Sequence, residues 1–196
     1  MNHGCRKCRR EGVKLFLKGE KCFSPKCPVA LRPYAPGQHG PTSFSKLSEY
    51  GKQLREKQKL KKVYGLNETQ LKNYYKKSAQ KAGNTSENLI QLLETRLDSI
   101  VYRLALAPSR SAARQLVSHR NFKIGSRRVN IPSMLISEKQ QVLVGDKVKN
   151  PENKTDNISW LSFDVKKREI KVNHAPIKDE LELPFDINLV IEYYSR

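Results

Sequence analysis

The stretch SRSAARQLVSHRNFKIGSRRVNI, residues 109–131, passes from a helical apolar period to the alternation of a strand. Ser109 is a favourable N-cap, so a short helix is predicted to begin there. Residues 122–124 and 127–131 have the pattern of two short strands. Gly125-Ser126, between them, suits a two-residue turn with glycine first. This stretch therefore predicts a helix followed by a β-hairpin.

Further elements are predicted on both sides of this stretch. Three helices are expected upstream, a strongly basic one over 46–64, a second over 67–83 and a third over 85–104 whose apolar residues form a core stripe. Downstream, a small mixed or antiparallel sheet is predicted from strands at 141–144, 158–163, 169–173 and 187–191. The predicted fold class is α+β, with helices packed on a mostly antiparallel sheet.

The helix and hairpin carry many basic side chains. If the two elements are adjacent, these side chains gather on one face, where they would contact the phosphates of a folded RNA and fix its position without reading many base edges. The candidates are Arg110, Arg114, His119, Arg120, Lys123, Arg127 and Arg128.

The whole chain is strongly basic. Its 196 residues include 38 Lys and Arg against 19 Asp and Glu, a formal net charge of +19. Residues 1–150 hold 31 basic and 10 acidic residues, whereas 151–196 hold seven basic and nine acidic. Such a charge favours a polyanionic partner, nucleic acid before an anionic membrane, and the acidic last quarter suits contact with a protein.

No run of about 18 apolar residues and no secretory pattern is present, which predicts a cytosolic or organelle-internal protein with reduced thiols.

Four cysteines occur within the first 27 residues, Cys5, Cys8, Cys22 and Cys27, with the spacing C-x2-C-x13-C-x4-C. Two close pairs separated by a loop are typical of a tetrahedral metal site, and four thiolates close the site to substrate. We predict a structural Zn²⁺, with an iron–sulfur cluster as the less favoured alternative. The surrounding cations that would face phosphates are Arg6, Lys7, Arg9 and Arg10.

The segment RPYAPGQHGP, residues 32–41, predicts an ordered loop because it holds three prolines and two glycines. Arg32, Tyr34, Gln38 and His39 in this loop could meet RNA through charge, stacking and hydrogen bonds. His39 is also an alternative metal ligand, as is His3.

Several long motifs resemble one family, ribosomal small-subunit protein four of the bacterial or organellar type. The resemblance covers almost the whole chain, and the unit at about 95–150 is similar to a small RNA-binding domain also found in pseudouridine synthases and tyrosyl-tRNA synthetases. The matching stretches are CRKCRREGVKLFLKGEKCFSPKC, RPYAPGQHG, LSEYGKQLREKQKLKKVYGL, GNTSENLIQLLETRLDSIVYRLALAPSRSAARQLVSH, RRVNIPS and INLVIEYYSR.

The resemblance implies a structural constituent of the small ribosomal subunit and no enzyme. It implies binding to a multi-helix junction in the 5′ domain of small-subunit rRNA, nucleation of assembly, and a role in translational accuracy with proteins five and twelve. Proteins five and three and the mRNA near its entry channel are the further partners implied, in a cytoplasmic or organellar ribosome, with no membrane and no small-molecule substrate. The resemblance extends the rRNA contacts to Arg55, Lys59, Lys62 and Arg96, and assigns a protein interface to Glu192, Tyr193, Tyr194 and Arg196.

Three domains are expected. They are a zinc knuckle with its Pro/Gly loop over 1–42, a basic helical domain over 43–90 onto which about 180–196 can pack, and a helix–hairpin RNA-binding domain with additional strands over 91–179.

The alternative function is a non-ribosomal assembly or stress factor that uses the same RNA-binding domain. An RNA-modifying enzyme is disfavoured, since only 46 residues follow residue 150 and no catalytic motif was found.

Affinity for the isolated 5′ domain of small-subunit rRNA should fall steeply with salt. Each phosphate that the protein neutralises releases counterions, so a log–log plot of affinity against salt has a slope of roughly −0.7 to −0.9 per phosphate contacted. Filter binding across a salt series measures this slope. A flat dependence would contradict the electrostatic origin of binding.

Overall fold

The computed structural model describes residues 3–42, 46–138, 140–150, 158–177 and 180–195. The chain divides into a first unit, Met1–Gln80 with Glu182–Arg196, and a second unit, Lys81–Leu181. Within the described ranges, no helix has both the length and the apolar character needed to cross a bilayer. The helices are α1 (His3–Glu11), α2 (Pro28–Leu31), α3 (Glu49–Val63), α4 (Glu68–Gln80), α5 (Thr85–Glu94), α6 (Leu97–Arg103), α7 (Arg110–Ser118) and α8 (Ile187–Ser195), and the strands are β1 (Phe122–Ile124), β2 (Arg127–Val129), β3 (Val142–Val144), β4 (Leu161–Asp164) and β5 (Glu169–Val172).

Helix α3 is the central element of the first unit, and both of its ends are determined locally. At the N-terminus the Ser48 hydroxyl accepts a hydrogen bond from the Gly51 amide at 3.2 Å. At the C-terminus Gly65 has φ 61°, and the Leu66 amide donates to the Lys61 carbonyl at 2.9 Å, which closes a Schellman motif. The basic helix predicted over 46–64 is therefore present, three residues shorter at its start. Its buried side is Gln53, Lys57, Leu60 and Val63.

The strand predicted at 187–191 is wrong, because these residues form the start of α8. A short apolar run is compatible with a strand or with a buried helix face, and periodicity alone does not separate them. Here Ile187 and Val190, three residues apart, are buried, and α8 packs along α3. Asp186 assists at the helix start, where its carboxylate accepts from the Asn188 amide at 2.9 Å.

Glu68 at the start of α4 links this helix to α3 and α8. Its Oε1 accepts from Lys57 Nζ at 2.8 Å and from Tyr194 Oη at 2.9 Å, and its Oε2 accepts from Lys61 Nζ at 3.1 Å. Partial burial by itself raises the pKa of Glu68, but these three hydrogen bonds outweigh it and lower the pKa from 4.5 to about 2. The carboxylate is thus held ionised where three helices meet.

The helix predicted as continuous over 85–104 is wrong, because it is broken at Arg96 into α5 and α6. Arg96 has an extended backbone, with φ −66° and ψ 141°. Residues on both sides of the break bond instead to a neighbouring loop, with the Leu97 amide donating to the Met134 carbonyl and the Ile136 amide donating to the Thr95 carbonyl, both at 2.9 Å. These long-range hydrogen bonds replace the helical ones, which a local apolar period could not reveal.

The second unit contains one five-stranded sheet in the order β2-β1-β3-β5-β4, and all its described pairs are antiparallel. The predicted hairpin is confirmed: Phe122 faces Val129, Ile124 faces Arg127, and Gly125 in the turn has φ 58°. The strands predicted at 141–144, 158–163 and 169–173 correspond to β3, β4 and β5. Strands β3 and β5 are shorter than predicted, and β4 begins three residues later and ends one residue later.

One face of this sheet builds the core of the second unit. Phe122, Val142 and Ile170 on three neighbouring strands are fully buried, as is Trp160. They share a single cluster with apolar side chains of the helices, among them Ile100 and Val117. The sheet is therefore buried on one side and solvated on the other, which is usual for an antiparallel sheet.

Side-chain truncations on the two faces of the sheet should differ in their effect on stability. Phe122→Ala leaves a cavity at a site with no exposed area, so we expect a loss of about 3–5 kcal/mol in the free energy of unfolding. Leu143→Ala, on the neighbouring strand at a side chain 40% exposed, should cost less than about 1 kcal/mol. Urea denaturation followed by Trp160 fluorescence measures both. Equal losses would contradict the assigned register.

Glu68 should give the first unit a specific acid sensitivity. Because the pKa of Glu68 is lower in the folded state, its contribution is present above the ordinary value of 4.5 and is lost as the pH falls toward 2. Glu68→Gln should therefore be less stable than the parent at pH 7, with the difference vanishing near pH 2. Hydrogen exchange of α4 and α8 amides across this range measures it. Glu49→Gln, which removes an exposed pair with Lys52, should keep the parent profile, and a parent profile in Glu68→Gln would contradict the prediction.

Candidate nucleic-acid interface

Two cations lie directly opposite each other on the solvent face of the hairpin. Lys123 on β1 pairs in register with Arg128 on β2, and both side chains are exposed. Facing positions on antiparallel strands bring Cβ atoms to about 4.5–5.5 Å, where like charges destabilise the sheet. A phosphate that bridges them would remove this repulsion. The face is therefore suited to an anion.

More cations lie beside the hairpin, where α7 ends. His119 and Arg120 follow the helix and are exposed, and Arg120 adopts the left-handed region with φ 60°. His119 also lines a groove of about 360 Å³ together with Lys147 and Lys149. The predicted contact set does not include these two lysines, because they lie beyond the helix and hairpin, although they belong to the basic first three-quarters of the chain. Arg127, predicted from the sequence, is exposed as well.

Three of the arginines predicted in this unit are engaged by carboxylates. Arg96 is 1% exposed and forms a two-point ion pair with Asp98. Its Nε donates to Oδ1 at 2.9 Å, and its Nη2 donates to Oδ2 at 2.6 Å. Arg110 donates to Glu94 at 3.0 Å. Arg114 lies 3.9 Å from Asp98 but remains 37% exposed at its side chain. Arg110 therefore joins α7 to α5, and Arg96 is held at the start of α6, whereas Arg114 also reaches the surface.

In the first unit, α1 presents Arg6, Lys7 and Arg10 to solvent, while Arg9 turns inward. Arg9 is 5% exposed, and its guanidinium donates to the carbonyls of Tyr34 at 3.0 Å and Ala35 at 3.3 Å. The same guanidinium lies 4.8 Å from the centre of the Tyr34 ring. Arg9 thus fixes the Pro/Gly loop against α1.

That loop is closed so tightly that one of its glycines cannot be replaced. A Cβ on Gly40 would lie 1.9 Å from the Ala35 carbonyl oxygen. Three of its predicted contact residues, Arg32, Gln38 and His39, are exposed, and Tyr34 is half-buried. The loop therefore carries polar groups outward on a constrained backbone.

The cations predicted on α3 are all half-buried and paired. Arg55 and Lys62 both contact the Glu11 carboxylate, whose side chain has no exposed area. Lys59 lies 2.5 Å from Glu56 on the same helix. The two pairs with Glu11 attach α3 to α1, and all three pairs leave only part of each cation for an external anion.

The four cysteines are free thiols distributed over three local elements. Cys5 and Cys8 lie on α1, Cys22 ends a short 3-10 turn, and Cys27 precedes α2. Burial raises the pKa of the Cys8 thiol, a backbone hydrogen bond at Leu15 lowers it, and the electrostatic influence of the other three thiols raises it further. Within the described ranges, no three or more Cys, His, Asp or Glu side chains are arranged as a metal site.

The residues predicted as a protein interface lie on α8, except Arg196, which is outside the described residues. Glu192 accepts from Gln53 Nε2 at 3.0 Å. The Tyr193 ring lies 4.1 Å from Lys57 Nζ, and Tyr194 donates to Glu68. All three side chains thus contact α3 or α4, and the protein interface stays a prediction.

Comparison with known proteins agrees with these features. The family model for the Ribosomal protein S4/S9 N-terminal domain matches residues 1–94, and the S4 domain model matches residues 95–149. Small ribosomal subunit protein uS4A of Alkaliphilus metalliredigens is 48% identical, with 98% of this chain and 96% of the relative covered. Small ribosomal subunit protein uS4 of Thermus thermophilus is 45% identical, again with 98% of this chain and 96% of the relative covered. A basic two-unit chain with this hairpin and these relatives belongs to the uS4 family of small ribosomal subunit proteins.

Proposed function

We propose that this chain, a structural rRNA-binding protein of the small ribosomal subunit and not an enzyme, binds a multi-helix junction in the 5′ domain of the rRNA and nucleates assembly there. The observation that carries the proposal is the exposed Lys123–Arg128 pair. Two facing cations are unfavourable in the isolated protein and become favourable against a phosphate. Full-length similarity to ribosomal proteins supports the same conclusion.

The proposed contact set contains the cations that reach solvent. In the second unit it is centred on the hairpin and the end of α7, and in the first unit on α1 and the Pro/Gly loop. Arg9, Arg96 and Arg110 are positioning residues in this proposal, since carbonyl or carboxylate groups occupy their guanidinium groups. Phosphate contacts of this kind fix orientation on folded RNA, while few side chains read bases.

Proteins five and three, and the mRNA near its entry channel, are the proposed further neighbours, with a contribution to accuracy shared with proteins five and twelve. Support comes from the charge of residues 151–196, where nine acidic residues outnumber seven basic ones. One of these nine, Glu192 on α8, is exposed. The proposed location is the cytoplasmic ribosome, in line with the bacterial relatives.

The Lys123–Arg128 pair gives a direct test of rRNA binding. The double variant Lys123→Ala/Arg128→Ala should bind the 5′-domain rRNA more weakly, and the slope of log affinity against log salt should shrink by roughly 0.7–0.9, for the one phosphate that the pair bridges. Lys166→Ala/Lys167→Ala removes the same charge from the exposed β4–β5 turn and should change neither quantity. Identical losses in both variants would contradict a hairpin site.

We also propose a structural Zn²⁺ held by Cys5, Cys8, Cys22 and Cys27. Their spacing supports this, as do the burial of three of the thiols and the electrostatic influence of all the others on Cys8. When bound, the ion would act as a cross-link between α1, the 3-10 turn and α2. Cations on α1 would then be presented from a rigid segment.

Metal analysis of the purified protein should find about one zinc per chain. Chelation, or Cys8→Ser, should increase hydrogen exchange over residues 3–42, because the cross-link is lost. Amides of the second unit serve as the internal control and should exchange as before, since that unit has its own core. Absence of bound metal, or unchanged exchange in Cys8→Ser, would refute the zinc site.

A further inference from the structure

Phe23 is the most exposed of the large hydrophobic side chains in the described part of the chain, at 73%. It follows the 3-10 turn that ends at Cys22. Its ring stacks on that of Phe16, with centroids 5.1 Å apart and planes at 30°. One face of the Phe23 ring is thus supported by another ring while most of the side chain remains in solvent. A single exposed apolar residue is ordinary, but here a second ring outside the buried core supports the exposed one.

The backbone at Phe16 is strained in support of this arrangement. Phe16 has φ 49°, in the left-handed region that bulky residues seldom occupy. Such a conformation persists where the surroundings enforce it, and it is concentrated at ligand sites. The strain and the exposed ring pair therefore occur at the same place in the first unit.

The charge around the rings indicates the chemistry of the occupant. Lys21 and Lys26 flank Phe23 in the sequence and are both exposed. Among the described residues, neither lysine forms an ion pair. An apolar protein surface placed on Phe23 would force these ammonium groups to lose water without a counter-charge. A nucleotide supplies a flat aromatic base and a phosphate together.

We propose that Phe23, backed by Phe16, is a stacking platform for an unpaired base of the rRNA, with Lys21 and Lys26 contacting the adjoining phosphates. This proposal rests on the rRNA binding proposed above and assigns one base contact within it. Unpaired bases are the part of a folded RNA that aromatic side chains recognise by stacking. The platform is tolerant of sequence because every base has a π face.

The test is binding of the full-length protein to the 5′-domain rRNA over a salt series. Phe23→Ala and Phe23→Leu should both weaken binding by roughly 5- to 100-fold, since neither side chain has a π face. Phe23→Tyr should retain the parent affinity. In all three variants the salt slope should be unchanged, whereas Lys21→Ala/Lys26→Ala should reduce it by roughly 1.4.

Leu31→Ala is the matched control, because Leu31 is an exposed apolar residue of the same unit, at 68%, and lacks a ring. It should bind as the parent does. Parent affinity in Phe23→Ala would overturn the platform, and so would equal losses in Phe23→Tyr and Phe23→Ala. If Phe23→Ala binds rRNA with the parent affinity but is poorly incorporated into subunits, the platform is also overturned, in favour of a protein contact. Failure of the parent protein to bind rRNA would instead refute the proposed function, and this inference with it.

Discussion

In several places in this structure one carboxylate pairs with two cations. These pairs neutralise part of the positive charge where helices pack together. Glu11 contacts Arg55 and Lys62, and Glu94 contacts Arg103 and Arg110. Asp98 and Glu68 act in the same way, on Arg96 with Arg114 and on Lys57 with Lys61. A chain with a net charge of +19 repels itself, and these acids neutralise cations at the junctions between helices. Since a buried cation without a partner is costly, each acid is a condition for the packing around it.

This pairing divides the basic residues into two populations. Guanidinium groups near a buried carboxylate become part of the architecture, as Arg96 does. Those on the hairpin, and Arg6 and Arg10 on α1, have solvent around them and are available to phosphate. Formal charge therefore overstates the number of cations that RNA can reach, and a list of basic residues is not yet a binding surface.

Features with a local cause could be predicted from the sequence. The hairpin was predicted because Gly125 marks its turn, and the start of α7 because Ser109 caps it, its hydroxyl accepting from the Ala112 amide at 3.2 Å. Features with a distant cause could not. The break at Arg96 depends on hydrogen bonds to residues 132–136, and α8 depends on the buried side of α3. The inward turn of Arg9 was hidden for the same reason, because its partners lie 25 and 26 residues away.

The packing of α8 on α3 has a consequence for the order in which the protein forms during translation. Residues 182–196 leave the ribosome after 81–181, yet they complete the unit that residues 1–80 begin. Domains generally fold as units while the chain is being synthesised. The second unit can therefore complete its core first. The buried side of α3 stays exposed to solvent until α8 has been synthesised and packs on it. A newly made chain thus passes through a stage in which the segment made first is the last to mature.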